Sequence, residues 1–267
     1  MDDDVSLQDP AAARLAIRSG QLRGFANHLA PGFVQGNLMI VPAAHAEAFA
    51  AFALSNPAAL PVLARSAPGD PRVPALGADL DIRTDVGGYM VFRDGVLSET
   101  RRDITALWRD DFVTFVLGCS FSFEPVLLAA GVRLRHLEER NVSAMYVTNR
   151  PTVQVDRFGG PLVVSMRALA PADAITATLL SAGYPEFHGA PVHIGWPEQI
   201  GVEDLAMSYG GHGLTKLLPG ELPVFWACGA TAQLAALQAC LPICITHYKA
   251  HMVLTDLKVR APGVLTS

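Results

Sequence analysis

Charge is scarce in this chain, and basic charge is the scarcer kind. Only 17% of the 267 residues are Asp, Glu, Lys or Arg, and 25 acids against 20 bases leave a formal net charge of −5. A nucleic-acid partner would need a basic patch to meet phosphates, so none is expected. Long apolar runs are missing as well. None reaches the roughly 18 residues of a membrane helix, which argues against a membrane partner. The opening MDDDVSLQDP is acidic and has no apolar h-region, so no secretory signal is read there. Cysteines number four, at 119, 228, 240 and 244. Such thiols fit a reduced, cytoplasmic protein better than a disulfide framework. No GxSxG nucleophile elbow, P-loop, internal repeat or low-complexity linker is present.

Apolar residues are abundant. They make up 51% of the chain, enough for a substantial core in one large domain or two small ones. The stretch GCSFSFE, residues 118–124, stands out. An apolar run, Phe112 to Leu117, precedes it and Pro125 follows. Proline favours the first turn of a helix, so a helix is predicted from about Pro125, with Gly131 as its stop. Gly118, Cys119, Ser120 and Ser122 would then form a small-residue turn at a helix start. Unpartnered N–H groups there favour an anion. Ser120, Ser122 and Glu124 add two hydroxyls and a carboxylate. The alternative is an ordinary cap made by Ser122 or Glu124, with Phe121 and Phe123 as core anchors.

Other elements follow from local chemistry. Asp9 and Pro10 open a helix that Gly20 ends. The following loop is long and carries Gln35 and Asn37, either as ligand contacts or as amides satisfying loop backbone. Residues 37–41 read as a strand and 43–55 as a helix stopped by Asn56-Pro57. The proline-rich 57–78 is irregular. Asp94-Gly95 between Tyr89–Phe92 and Val96–Ser98 marks a hairpin. For FVTFVL, 112–117, a helix opened by Asp110 and Asp111 is favoured over a strand. Residues 140–200 run β-β-α-β and are expected to form an inserted subdomain. PVFWACG, TAQLAALQA and ICITHY then read as strand, helix and strand.

FWACGATAQ, 225–233, repeats the strand-turn-helix logic and puts Thr231 and Gln233 at a helix start, where ligands sit in open α/β sheets. Thr231 could equally be a plain N-cap. Arg167, after PLVVSM, can grip a carboxylate with two parallel hydrogen bonds, or form a surface ion pair. His188 and His193 make one histidine pair, His247 and His251 another. Cys240, Cys244, His247 and His251 invite a zinc reading. Pro242 inside the cysteine spacing argues against it, and no metal ligands are assigned.

Taken together, LAPGFVQGNL, WRDDFVTFVLGCSFSFE, NVSAMYVTN, GGPLVVSMR, HGAPVHIG, PVFWACGAT and ITHYKAHMVLTD resemble the family of "putative hydro-lyases", also called the D-glutamate cyclase family. The blocks keep the family's order from about residue 14 to Asp256. The resemblance implies an α/β fold, a mixed three-layer α/β/α sandwich with a smaller two-layer α+β subdomain. It implies a lyase that eliminates water from a small amino or hydroxy carboxylic acid, as when D-glutamate closes to 5-oxo-D-proline. On that chemistry Glu124, His188, His193 and Ser120 are the expected catalytic groups. Cys119, Ser122, Arg167, Thr231, Gln233, Gln35 and Asn37 are the expected substrate contacts. No cofactor is required, although a divalent metal such as Mn²⁺ is compatible, and a homo-oligomer is left open. The chain departs from the family pattern in three places. SYGGH, 208–212, stands where PDFGD is expected, THYKAHM, 246–252, where THAPGHM is expected, and GATAQ, 229–233, where GVTPQ is expected. A non-catalytic carboxylate-binding protein and a metal-dependent hydrolase are the alternative functions.

Overall fold

The computed structural model describes residues 8–260. The acidic segment at residues 1–7 lies outside them. In chain order the elements are α1 (Pro10–Arg18), β1 (Phe33–Pro42), α2 (Ala43–Ser55), β2 (Val62–Arg65), β3 (Tyr89–Arg93), β4 (Val96–Arg101) and β5 (Phe112–Gly118). Then come α3 (Glu124–Ala129), α4 (Arg135–Glu138), β6 (Ala144–Pro151), β7 (Pro161–Leu169), α5 (Pro171–Ser181), β8 (His193–Ile194), β9 (Leu222–Ala227), α6 (Ala230–Gln238), β10 (Cys244–His247) and β11 (Val253–Lys258). Helices and antiparallel sheets together make an α/β fold. One sheet runs β2-β5-β1-β10-β3-β4, with β11 also paired to β1. The other runs β6-β7-β9-β8, and so takes β9 from beyond residue 200.

Local signals account for most boundaries. Asp9 accepts a hydrogen bond from the Ala12 N–H at 2.8 Å, Pro10 is the first helical residue of α1, and Gly20 follows the helix at φ +75°. In the β3–β4 hairpin Asp94 and Gly95 both have positive φ, 49° and 79°, as a two-residue turn matched to strand twist requires. Pro125 lies in the first turn of α3, and Gly131 lies beyond its end at φ +81°.

The expected helix at 112–117 is instead strand β5. All seven of its residues are buried, between β1 on one side and β2 on the other. A strand covered on both faces shows no apolar–polar alternation, so periodicity carried no strand signal. Its β-branched and aromatic side chains suit a pleated, buried position. Phe115 packs edge-on against Phe49 of α2, whose neighbours Phe52 and Phe158 complete an aromatic cluster. Burying such side chains contributes about 1.5–3 kcal/mol each.

Candidate functional site

Two strand-to-helix junctions, one from each sheet, line a single cavity of about 360 Å³. That volume is in the range of small-molecule sites. The first junction is the end of β5, with Cys119 and Ser120. The second is the end of β9, with Cys228 and Gly229. Each junction has the same local device: the sulfur accepts an N–H bond from the residue two further on, Phe121 or Ala230. Burial nevertheless pushes the Cys119 thiol up to about 12 and raises that of Cys228, so both stay protonated and neither is an activated nucleophile. The remaining wall comes from Asn37 of β1, Ser165 of β7, Gln233 of α6, His247 of β10 and the loops carrying Tyr209, His212 and Lys249.

Behind the serines lies a buried ionic network. Arg167 donates to Glu124 Oε1 through Nε at 2.9 Å and Nη2 at 2.6 Å. The same guanidinium donates to Ser120 Oγ at 2.9 Å and to Ser165 Oγ at 3.2 Å. His136 of α4 places Nε2 3.1 Å from Glu124 Oε1. Burial alone would raise the Glu124 carboxyl, but the charges of His136 and Arg167 outweigh it and hold the group below its usual range. Phe123 and Trp226 flank the guanidinium at 5.4 and 5.1 Å. Glu124 and Arg167 therefore stand one layer behind the cavity wall. Both serine oxygens accept from Arg167, which leaves their own O–H groups free to donate into the cavity.

A second polar chain borders the cavity. Asn37 donates from Nδ2 to the Gly118 carbonyl at 2.7 Å, and its Oδ1 faces His247 Nε2 at 3.1 Å. The other ring nitrogen of His247 lies 2.8 Å from the Tyr248 carbonyl. Both ring nitrogens thus face oxygen acceptors, a setting that suits the imidazolium. Burial opposes this and lowers the His247 pKa to about 4. Gly229 makes the arrangement sterically feasible, since a Cβ there would sit 2.3 Å from Asn37 Nδ2.

Of the residues singled out in the sequence, Cys119, Ser120, Asn37 and Gln233 line the cavity, with Arg167 and Glu124 directly behind. Gln233 reaches Thr246 Oγ1 at 3.3 Å. The others lie elsewhere. Ser122 accepts from the Gln35 N–H at 2.9 Å and ties the single 3-10 turn at Ser120–Phe123 to β1. Gln35 donates to the Leu29 carbonyl at 3.1 Å and satisfies loop backbone. Thr231 Oγ1 accepts from the Val163 N–H at 3.0 Å, fastening α6 to β7. His188 is buried at φ +82° with Nδ1 2.8 Å from the Ala58 carbonyl. His193, on the edge strand β8, faces the Trp196 carbonyl at 3.0 Å. None of these five belongs to the cavity wall.

His136, Ser165, Tyr209, His212, His247 and Lys249 received no site role from the sequence. A signal was present for four of them, because two of the departures from the family pattern, 208–212 and 246–252, supply cavity wall. Cys240 is exposed while Cys244 is buried in β10. Among the described residues no three His, Cys, Asp or Glu side chains are grouped to hold a metal ion.

A family model described as D-glutamate cyclase matches residues 113–256, a span that includes both junctions, Arg167 and His247. A "Putative hydro-lyase" of Verminephrobacter eiseniae is 51% identical over 254 residues, covering 95% of this chain and 92% of the relative. One of Bradyrhizobium diazoefficiens is 50% identical over 254 residues, covering 95% and 93%. One of Methylobacterium radiotolerans is 51% identical over 249 residues, covering 93% and 92%. The chain belongs to the D-glutamate cyclase family.

Proposed function

We propose that the cavity between the two junctions is the active site of a hydro-lyase that removes water from a small amino or hydroxy carboxylic acid. The observation that carries this reading is the His247 ring, set on the cavity wall with both nitrogens against oxygen acceptors. Dehydration needs a group that takes one proton and supplies another. In a hydroxy acid a C–H proton passes to a base, its electron pair forms the C=C bond, and the C–O bond breaks. The oxygen then departs as water with an added proton. In D-glutamate the nitrogen forms a bond to the γ-carboxyl carbon, and one carboxyl oxygen leaves as water with two nitrogen protons. Either path requires proton transfer by a group within reach of substrate.

A neutral His247 can accept that proton through the ring nitrogen at which the substrate displaces a protein acceptor. The other nitrogen keeps its partner, Asn37 Oδ1 or the Tyr248 carbonyl, and that bond stabilises the resulting imidazolium. The imidazolium can return the proton to the departing oxygen. Ser120 and Ser165, held by Arg167, supply hydroxyl donors for a carboxylate or for negative charge that develops on oxygen. Glu124 and His136 act through Arg167 as positioning residues. The thiols supply no nucleophile.

The test is proton NMR of the full chain incubated with D-glutamate and with small 2-hydroxy mono- and dicarboxylates, with and without EDTA and Mn²⁺. Turnover of at least one compound is expected. His247→Gln should lower kcat by roughly 100-fold or more, the scale of a lost general acid–base group, while KM changes little. Binding of these acids with no water released from any of them would instead make the protein a carboxylate-binding module.

A further inference from the structure

The cavity wall has an asymmetry of charge. Its ionisable nitrogen groups are Lys249, His247 and His212, and no Asp or Glu is among the residues that line it. The Lys249 ammonium has no ion pair among the described residues. Its Nζ reaches only the His212 carbonyl, at a long 3.4 Å. It is half-buried, and that burial disfavours its charged form, a penalty that no ion pair among the described residues offsets. Glu124, the carboxylate behind the cavity wall, is covered by Arg167 and His136. A ligand carboxylate beside Lys249 would supply the missing counter-charge. A ligand ammonium would meet a like charge and find only neutral acceptors. A ligand hydroxyl needs no counter-charge, and the amides of Asn37 and Gln233 offer it partners.

Resting on the reading of this cavity as the active site, we infer that its substrate is a small carboxylic acid bearing a hydroxyl and no ammonium group, with Lys249 as the counter-ion of a carboxylate. Lys249 is then the residue that sets specificity. It lies in the same loop as Tyr248, two residues from His247, so the carboxylate it holds is delivered beside the proton-carrying ring.

The two enantiomers of 2-hydroxyglutarate and D-glutamate make a matched set, because they share a carbon skeleton and differ at C2. Calorimetric titration of the full chain near pH 7 should give at least tenfold tighter binding of one 2-hydroxyglutarate enantiomer than of D-glutamate. Lys249→Met should weaken that binding at least tenfold, and Lys249→Arg should restore most of it. Circular dichroism of both variants checks that they fold. Three results would overturn the inference: D-glutamate binding as tightly as the hydroxy acids, no binding of either enantiomer, or unchanged affinity in folded Lys249→Met. NMR of the same mixtures separates this inference from the functional reading. Tight 2-hydroxyglutarate binding, with no water released from any of the acids tested, would sink the hydro-lyase reading alone. Tight binding and cyclisation of D-glutamate would sink the specificity inference alone.

Discussion

Buried histidines are the residues through which this protein should feel acid. His188 is the clearest case. Its ring is buried, its Nδ1 lies against the Ala58 carbonyl, and burial depresses its pKa to about 4. In the unfolded chain the ring titrates near 6.5. Above about 6.5 the ring is neutral in both states, and its contribution to stability is fully present. As pH falls from about 6.5 to 4 the unfolded chain takes up a proton that the folded protein refuses, so stability declines. A shift of this size corresponds to about 3 kcal/mol at its limit. Asparagine tolerates the left-handed backbone at this position and does not titrate. Urea midpoints of His188→Asn measured from pH 7 to 4 should therefore fall less steeply than those of the parent. Parallel curves would show that His188 is not protonation-coupled to folding. His247 and His251 are also depressed by burial, so some acid sensitivity should persist in the variant.

At the scale of elements, the two strand-to-helix junctions were the legible part of the site. Small residues followed by a helix start are a local signal, and Cys119, Ser120 and Gln233 could be found from it. What the signal lacked was direction. Glu124 and Arg167 look alike in sequence whether they face a ligand or each other, and the fold turns them together behind the wall. Thr231 did not fulfil the capping alternative either: Gly229 is the N-cap of α6, and the Thr231 hydroxyl meets the Val163 backbone of β7 instead. His247 and Lys249 stood out only as part of a departure from the family pattern, and their place in the site was hidden for a different reason. They reach the cavity only because β10 lies between β1 and β3, a pairing across some 200 residues that no local pattern encodes. The tight approach of Asn37 to Gly229 is the element-scale contact most open to test. Gly229 has ordinary helical dihedrals, φ −59° and ψ −18°, so alanine costs nothing in backbone strain. Its Cβ would collide with the Asn37 amide, which sits between Gly118 and His247. Gly229→Ala should weaken carboxylate binding by about tenfold, or 1.4 kcal/mol, in calorimetric titration. Unaltered affinity would mean that the Asn37–His247 contact does not shape the site.

For the whole molecule, the question is whether the two sheets are one cooperative unit. The sequence marked 140–200 as a separate β-β-α-β pattern, yet the second sheet is completed by β9 from outside that range. The core points the same way. One apolar cluster joins Phe49, Phe52 and Phe115, beside the first sheet, to Phe158, Ala227 and Ala232 on the side of the second. Another joins Val34 of β1 to Phe123, Val224 and Trp226. The cavity and its Glu124–Arg167 backing also sit across this seam, and breaking a buried ion pair by pulling its partners apart is costly. Unfolding the second sheet alone would therefore expose both clusters and strand two buried charges. We expect a single transition in urea despite a length at which intermediates are common. Trp226 is a built-in reporter, fully buried in β9 with its indole N–H donating to Ser181 Oγ at 3.0 Å. In a Trp108→Phe/Trp196→Phe protein, Trp226 fluorescence follows the second sheet while far-UV circular dichroism follows both. The two curves should coincide, and a saturating carboxylate ligand should move them together to higher urea, because it binds only the state in which both junctions face one cavity. Loss of Trp226 fluorescence well before the dichroism signal would establish the second sheet as an independently unfolding body.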